Sequence, residues 1–367
     1  MLMRFEVENF KIFKQKTVLD LSETKNYEFN SECIKAGLVN KGMIYGKNGC
    51  GKSNLGLAIF DLVSHLTDKQ FPPNLYGHYL HAELPLETAK FKYVFNFDGS
   101  IIEYSYEKNG LRNITSERLT INEVEVVRYN IGTPLVTSLE GAESLKTDLT
   151  ESRISALKYI KSNAVLNSNK TNDAVQKFLD FADNMLFFRS VEEFNYIGYE
   201  SGVRGILTDI EEKNHVDEFE VLLNEAGISC KLSAIEKNGV KSIGFIFGNT
   251  TIDLWEIASS GTKILALFYY WLQRLKTRGA SLVFIDEFDA NYHHELSELI
   301  VKKLKGINSQ VILTTHNTSL MTNDLMRPDC DFLMENDKIT PFCNLTDKEL
   351  RFAHNIEKMY KAGAFNG

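Results

Sequence analysis

The sequence predicts an α/β protein whose mixed central sheet carries a phosphate-binding loop, and two stretches predict it. Gly46-Lys47-Asn48-Gly49-Cys50-Gly51-Lys52-Ser53 fits the pattern G-x-x-x-x-G-K-[ST]. Leu282-Val283-Phe284-Ile285-Asp286-Glu287 is an apolar run that ends in two adjacent carboxylates. In this order the two describe a nucleotide hydrolase.

A loop that wraps phosphates must turn successive backbone N–H groups inward, at angles that glycine tolerates best. Gly46, Gly49 and Gly51 are expected to supply them. Lys52 brings a charge to the β and γ phosphates, and the Ser53 hydroxyl is a ligand for Mg²⁺. Gly42–Tyr45 reads as a short buried strand entering the loop. From Asn54 to Leu66, apolar residues at Leu55, Ile59, Leu62, Val63 and Leu66 recur at helical spacing. That helix would aim its N-terminus at the phosphates. The expected nucleotide contacts are therefore Gly46, Lys47, Asn48, Gly49, Cys50, Gly51, Lys52, Ser53 and Asn54.

The apolar run Leu282–Ile285 predicts a buried strand, and two ionised carboxylates at its end need a cation or a water to act on. Asp286 is placed for Mg²⁺ and Glu287 for polarising the attacking water as general base. Ser259-Ser260-Gly261-Thr262-Lys263 opens an apolar helix, Ile264 to Leu275, a generic cap whose position upstream of the acidic strand is what makes it informative. Val311–Thr315 is a further apolar strand, ending at His316, where the imidazole is in reach of a γ-phosphate.

This order of motifs resembles the ABC-type ATPase heads of the SMC, RecF and OLD group, and most of all the stand-alone AAA family ATPases of bacterial defence loci. The residues that carry the resemblance are Met3 to Phe13, the phosphate loop with Asn54, and Ser259-Ser260-Gly261-Thr262. They continue with Asp286-Glu287-Phe288-Asp289, His293, Thr314-Thr315-His316-Asn317, Arg351 and Asn355 to Phe365. The resemblance implies a P-loop NTPase of ABC-ATPase type that pairs head to tail, so that Ser260 and Gly261 of one subunit cover ATP held by the other. Lys52, Glu287 and His316 are then the catalytic residues, with Ser53 and Asp286 on the metal. Thr262 and Lys263 stand where transporters have Gly and Gln, as expected of the soluble group, and no Q-loop glutamine can be placed.

Composition sets the frame. The chain has 367 residues, 43% hydrophobic, enough for one large domain with an insertion. No apolar run approaches a membrane span and the N-terminus lacks a signal-peptide plan, so a cytoplasmic protein is expected. The five cysteines, at 33, 50, 230, 330 and 343, form no C-x-x-C pair and fit reduced thiols rather than a zinc site. A net charge of −8 gives no global signal for nucleic acid, and Lys302, Lys303 and Lys305 read as a solvated helix face.

Along the chain, residues 1–139 read as the first part of the ATPase head, with an antiparallel hairpin series over 90–136 turning at Asp98-Gly99 and Asn109-Gly110. Residues 140–230 read as a helical insertion, with helical periodicity over Ser152–Leu166 and Asp173–Phe188. Residues 231–367 complete the head and end in a helix over 346–363. The aromatics Phe187, Phe188, Phe194, Tyr196 and Tyr199, near Arg189 and Arg204, favour core packing or protein docking over base stacking, because Glu192, Glu193, Glu200, Glu211 and Glu212 lie among them.

The functional expectation is an ATPase that uses ATP and Mg²⁺, works as a homodimer or higher oligomer of paired heads, and controls a separately encoded effector in anti-phage defence. No nuclease-like or Toprim-like segment follows residue 340. The alternatives are a RecF-like repair ATPase that binds DNA, and an ATP-binding scaffold without turnover.

Overall fold

The computed structural model describes residues 1–69, 73–149, 154–189, 196–198, 205–237, 239–290 and 292–365, with only the backbone course at 73, 189 and 196–198. The central sheet has seven strands. Its inner five run parallel in the order Met185–Arg189, Leu282–Asp286, Gln310–Thr315, Lys41–Tyr45 and Asp331–Glu335. Tyr196–Gly198 and Lys338–Pro341 close its edges antiparallel. Every residue of Lys41–Tyr45, Leu282–Asp286 and Gln310–Thr315 is buried. A parallel sheet covered on both faces requires such continuous runs.

A second seven-stranded sheet is antiparallel throughout, in the order Val136–Thr137, Val124–Asn130, Ile114–Ile121, Ser100–Lys108, Ala89–Phe97, Leu2–Glu8 and Thr17–Asp20. The helix Lys52–Leu66 packs against both sheets, with 12 of its 15 residues buried. Toward the central sheet, Gly56 allows close approach: a Cβ there would meet ring carbons of Phe187 and Phe284 at 2.7 Å. Toward the antiparallel sheet, the Tyr93 hydroxyl donates to the Ala58 carbonyl at 2.9 Å. The helix after the phosphate loop is thereby fixed from two sides.

Polar groups are sealed into this contact. Asp61, on the helix, accepts from Lys108 Nζ at 2.6 Å, Tyr106 Oη at 2.8 Å and Tyr79 Oη at 3.0 Å. One turn on, His65 Nε2 lies 2.6 Å from Tyr104 Oη, which donates to Glu117 Oε1 at 2.8 Å. Because the tyrosine proton is committed to Glu117, His65 Nε2 must be the donor. Glu117 also accepts from Ser155 Oγ and from the amides of Ala156 and Leu157, so it caps the helix Ala156–Asn163.

The segment 140–230 is not helical throughout. The helix Lys170–Asp183 ends at Asn184, and Met185–Arg189 is a strand of the central sheet, paired parallel to the acidic strand. The periodicity of Asp173–Phe188 misleads because Met185 to Phe188 are all buried, with no solvent face to mark a strand. Ser152–Leu166 yields only Ala156–Asn163, and residues 152 and 153 lie outside the described ones. Deleting 140–230 would therefore remove an inner strand. Phe187 and Phe188 pack in the core as expected, whereas Phe194, Tyr199, Arg204, Glu192, Glu193 and Glu200 lie outside the described residues. Leu232–Lys237, Val240–Phe247 and Thr250–Asp253 form a small antiparallel sheet. The C-terminal helix spans Ile356–Lys361 rather than 346–363, and before it the carbonyls of Arg351, Phe352 and His354 face Asn323 Nδ2.

Replacing Lys108 with Met leaves Asp61 as a buried, unbalanced carboxylate and should cost about 3–5 kcal/mol in urea unfolding. The double variant Asp61→Leu, Lys108→Met should recover part of that loss, the remainder reflecting the Tyr79 and Tyr106 hydroxyls that lose their acceptor; equal stability of the single and double variants would contradict the pairing. Burial, with Lys108 and Lys158 nearby, keeps His65 neutral well below its ordinary range. On acidification the unfolded chain takes up that proton first. The stability contribution is thus intact above about pH 6.5 and falls by up to about 1.4 kcal/mol per pH unit below it. His65→Phe, which retains a ring against Tyr106, should flatten this slope between pH 7 and 5.5; an unchanged slope would place its cause elsewhere.

Candidate functional site

The strand register brings the sequence motifs to one edge. Ile285 pairs with Leu313 and Leu313 with Met43; Thr314 pairs with Ile44 and Thr315 with Tyr45. Asp286 therefore lies level with Thr314, the phosphate loop leaves one residue beyond Tyr45, and His316 one residue beyond Thr315. All three features sit at the carboxyl ends of adjacent parallel strands, where open α/β sheets form their binding crevice.

In the loop, Gly49 and Gly51 have φ of 81° and 106°, the left-handed region expected of them. Gly46 does not. Its need for glycine is space: a Cβ would lie 2.5 Å from Cys50 Sγ and 2.9 Å from the Met334 carbonyl oxygen. A Cβ on Gly51 would also strike Ile12 Cδ1 at 2.5 Å, so the opening Phe10-Lys11-Ile12-Phe13 segment closes against the loop. Lys52 is buried, and its Nζ donates to the carbonyls of Gly46 at 2.7 Å and Lys47 at 3.1 Å. Its charge thus sits on the loop itself. Ser53 and Asn54 follow in the first helical turn, where backbone N–H groups have no intrahelical acceptor. Lys47, Asn48 and Gly49 are exposed, and Cys50 is half-buried with its thiol pKa raised by burial.

Asp286 is 2% exposed and accepts from the Thr314 hydroxyl at 2.8 Å. The same hydroxyl accepts the Glu287 N–H at 2.8 Å. Glu287 follows the strand with φ of 47°, a left-handed conformation that redirects its side chain. Asp289 is 6% exposed, and its Oδ1 has no hydrogen-bond partner among the described residues. His316 is exposed at the edge, and Asn317 Oδ1 accepts the Ser319 N–H at 3.1 Å. His293 caps the helix His294–Lys305 through Nδ1, a structural role. Lys302, Lys303 and Lys305 on that helix pair with Glu298, Glu225 and Glu32.

The Ser-Ser-Gly-Thr segment opens the helix Ser260–Thr277, with Ser259 Oγ accepting the Thr262 N–H at 3.2 Å. Trp271 of this helix stacks edge-on against Phe188, ring centroids 5.4 Å apart, near the carboxyl end of the central strands. Trp271 stands eleven positions along the helix from Ser260, about 16 Å. Ser260 is exposed, and among the described residues no hydrogen bond links Ser259–Lys263 to the phosphate loop of the same chain. Phe247 and Ile257, both exposed, flank this helix start across a groove of about 700 Å³.

Among the described residues no group of three His, Cys, Asp or Glu stands ready to hold a metal. The donors that fit Mg²⁺ are one hydroxyl, Ser53, and one carboxylate, Asp286, a set that leaves the other positions to phosphate oxygens and water. Sequence reasoning missed Thr314 as more than a family match. The available signal was a hydroxyl inside a fully apolar strand, where burial obliges it to find partners.

Among curated proteins none matches this sequence. Among solved structures, the chain is similar to an SMC head domain from Thermotoga maritima, with 15% identity, TM-score 0.44, and 92% of this chain and 97% of that one covered. It is similar to an SMC head bound to the C-terminal winged-helix domain of ScpA, at 15% identity and TM-score 0.44 over 92% and 96%. An SMC head with an extended coiled coil, bound to the C-terminal domain of ScpA derived from Pyrococcus furiosus, gives 13%, 0.43, and 92% and 95%. Residues 43–322 match the family model described as "AAA domain, putative AbiEii toxin, Type IV TA system". That match takes in the phosphate loop, the acidic strand and the His316 strand, and the chain belongs to this AAA-domain family of P-loop ATPases.

Proposed function

We propose that the chain hydrolyses ATP at the carboxyl edge of its central sheet. The observation that carries this reading is the alignment there of the phosphate loop, the Asp286-Glu287 pair and His316 on three adjacent strands. Loop amides and Lys52 hold the β and γ phosphates. Mg²⁺, with Ser53 and Asp286 as its protein ligands, supplies positive charge against the phosphates when bound. Glu287 takes a proton from water as the water oxygen bonds to the γ phosphorus. The bond from that phosphorus to the bridging oxygen breaks, giving ADP and phosphate. His316 is at the edge where an imidazole reaches the γ-phosphate oxygens.

The site is completed by a second copy. Ser260 and Gly261 lie at an exposed helix start, separated from their own loop, with exposed apolar side chains beside them; this supports head-to-tail pairing in which they cover a partner's ATP. Higher oligomers of such pairs are compatible with the same chemistry. Pairing driven by ATP gives two states that a separately encoded effector can distinguish, and the toxin–antitoxin wording of the family description supports a role in bacterial defence. No described helix is long and apolar enough to cross a membrane, in keeping with work in the cytoplasm. A DNA-holding role gains no support from Lys302, Lys303 and Lys305, each already paired with a carboxylate.

Lys52→Ala should weaken ATP binding roughly 10- to 100-fold by removing a charge-assisted contact. Glu287→Gln should retain binding while phosphate release falls by roughly 10²- to 10⁴-fold. Equilibrium nucleotide binding and phosphate release measure both, and turnover in Glu287→Gln equal to wild type would remove Glu287 as the base. With ATP and Mg²⁺, Glu287→Gln should double its mass in light scattering, and adding Ser260→Arg should abolish the pair. The same mass for both variants would contradict head-to-tail pairing.

A further inference from the structure

We propose that Thr314 is a positioning residue for hydrolysis, its hydroxyl holding the Asp286 carboxylate and the Glu287 backbone in one fixed arrangement. This rests on the ATPase reading above and adds a residue to it.

The hydroxyl has one proton, and the geometry assigns its direction. Thr314 Oγ1 accepts the Glu287 N–H at 2.8 Å, so its own proton points to Asp286 Oδ1, also at 2.8 Å. The Thr314 carbonyl accepts the Phe288 N–H at 3.2 Å. One residue therefore binds three consecutive positions of the acidic turn. That turn needs holding, because Glu287 sits at φ 47°, where a non-glycine residue is strained and persists only if its surroundings enforce it. Thr314 is wholly buried, so water does not replace the hydroxyl if it is removed. It also lies two residues before His316, which directly follows the same strand, and this ties the base, the metal-binding carboxylate and the histidine to one segment.

Thr314→Val keeps the shape and removes the hydroxyl; Thr314→Ser keeps the hydroxyl and removes a methyl. If the hydroxyl positions the pair, Thr314→Val lowers kcat roughly 10- to 100-fold, since misplacing a reacting group by about 1 Å has effects of that order. ATP affinity, set by the loop, stays within about twofold, and the Mg²⁺ concentration for half-maximal turnover rises because Asp286 has lost its donor. Thr314→Ser restores both kcat and the Mg²⁺ dependence. A purely structural role predicts lower melting temperatures with no separation of kcat from ATP affinity and no shift in Mg²⁺ requirement. Phosphate release across a Mg²⁺ titration, with ATP binding measured alongside, reads all of this. Should Thr314→Val not fold, Thr314→Ala is read in the same way. Turnover and Mg²⁺ dependence in Thr314→Val equal to wild type, or Thr314→Ser as impaired as Thr314→Val, overturns the proposal while leaving Glu287 in place. Full turnover in Glu287→Gln overturns the base assignment and this proposal with it.

Discussion

The in-register packing of three parallel strands is the constraint on which the rest depends. Lys41–Tyr45, Gln310–Thr315 and Leu282–Asp286 come from distant parts of the sequence, and nothing local relates the ends of one to the ends of another. Register alone sets the phosphate loop, His316 and the acidic pair at one edge. A slip of one residue would turn every side chain of a strand to the opposite face. All three strands are fully buried, which requires cover on both faces of the sheet. The helix after the phosphate loop provides cover on one side. It is thus the link between the two sheets.

That link is polar where it needs to be specific. Asp61 and His65 on the helix meet Lys108, Tyr104 and Tyr106 of the antiparallel sheet, all shielded from water. A buried ion pair is a poor source of stability compared with apolar packing, but a half-satisfied one is costly, so the arrangement penalises any other seating of the helix. The placement of the loop helix is in this way coupled to the antiparallel sheet. Glu117 extends the same network to the start of the helix Ala156–Asn163.

What could be read in the sequence was what is encoded locally. The phosphate loop, its strand and helix, the acidic strand and the His316 strand announce themselves by spacing and by apolar runs that end in polar residues. The hairpins show in strict alternation and in Asp98-Gly99, both at positive φ. The strand Met185–Arg189 stayed hidden because a strand buried on both faces has no alternation, and its apolar run continues the pattern of the helix before it. Residues 346–355 look helical alone, yet they form no helix, and the carbonyls of Arg351, Phe352 and His354 face Asn323, a neighbour visible only in three dimensions. Glycine at 46 was expected for its backbone angle and is required for space against Met334, nearly 300 positions away. The hydroxyl of Thr314 was in plain view, but its two partners are 27 and 28 residues distant.

The central claim is that nucleotide binds at the carboxyl edge of these strands and that a second copy completes the site. Backbone hydrogen exchange of Glu287→Gln, with and without ATP and Mg²⁺, tests it most directly. The account predicts slowed exchange in residues 46–54 and, in the same sample, in residues 259–263, with both effects moved to roughly 10- to 100-fold higher ATP when Lys52→Ala is added. Unchanged exchange in residues 46–54 under saturating ATP, with protection appearing on another surface, would contradict it.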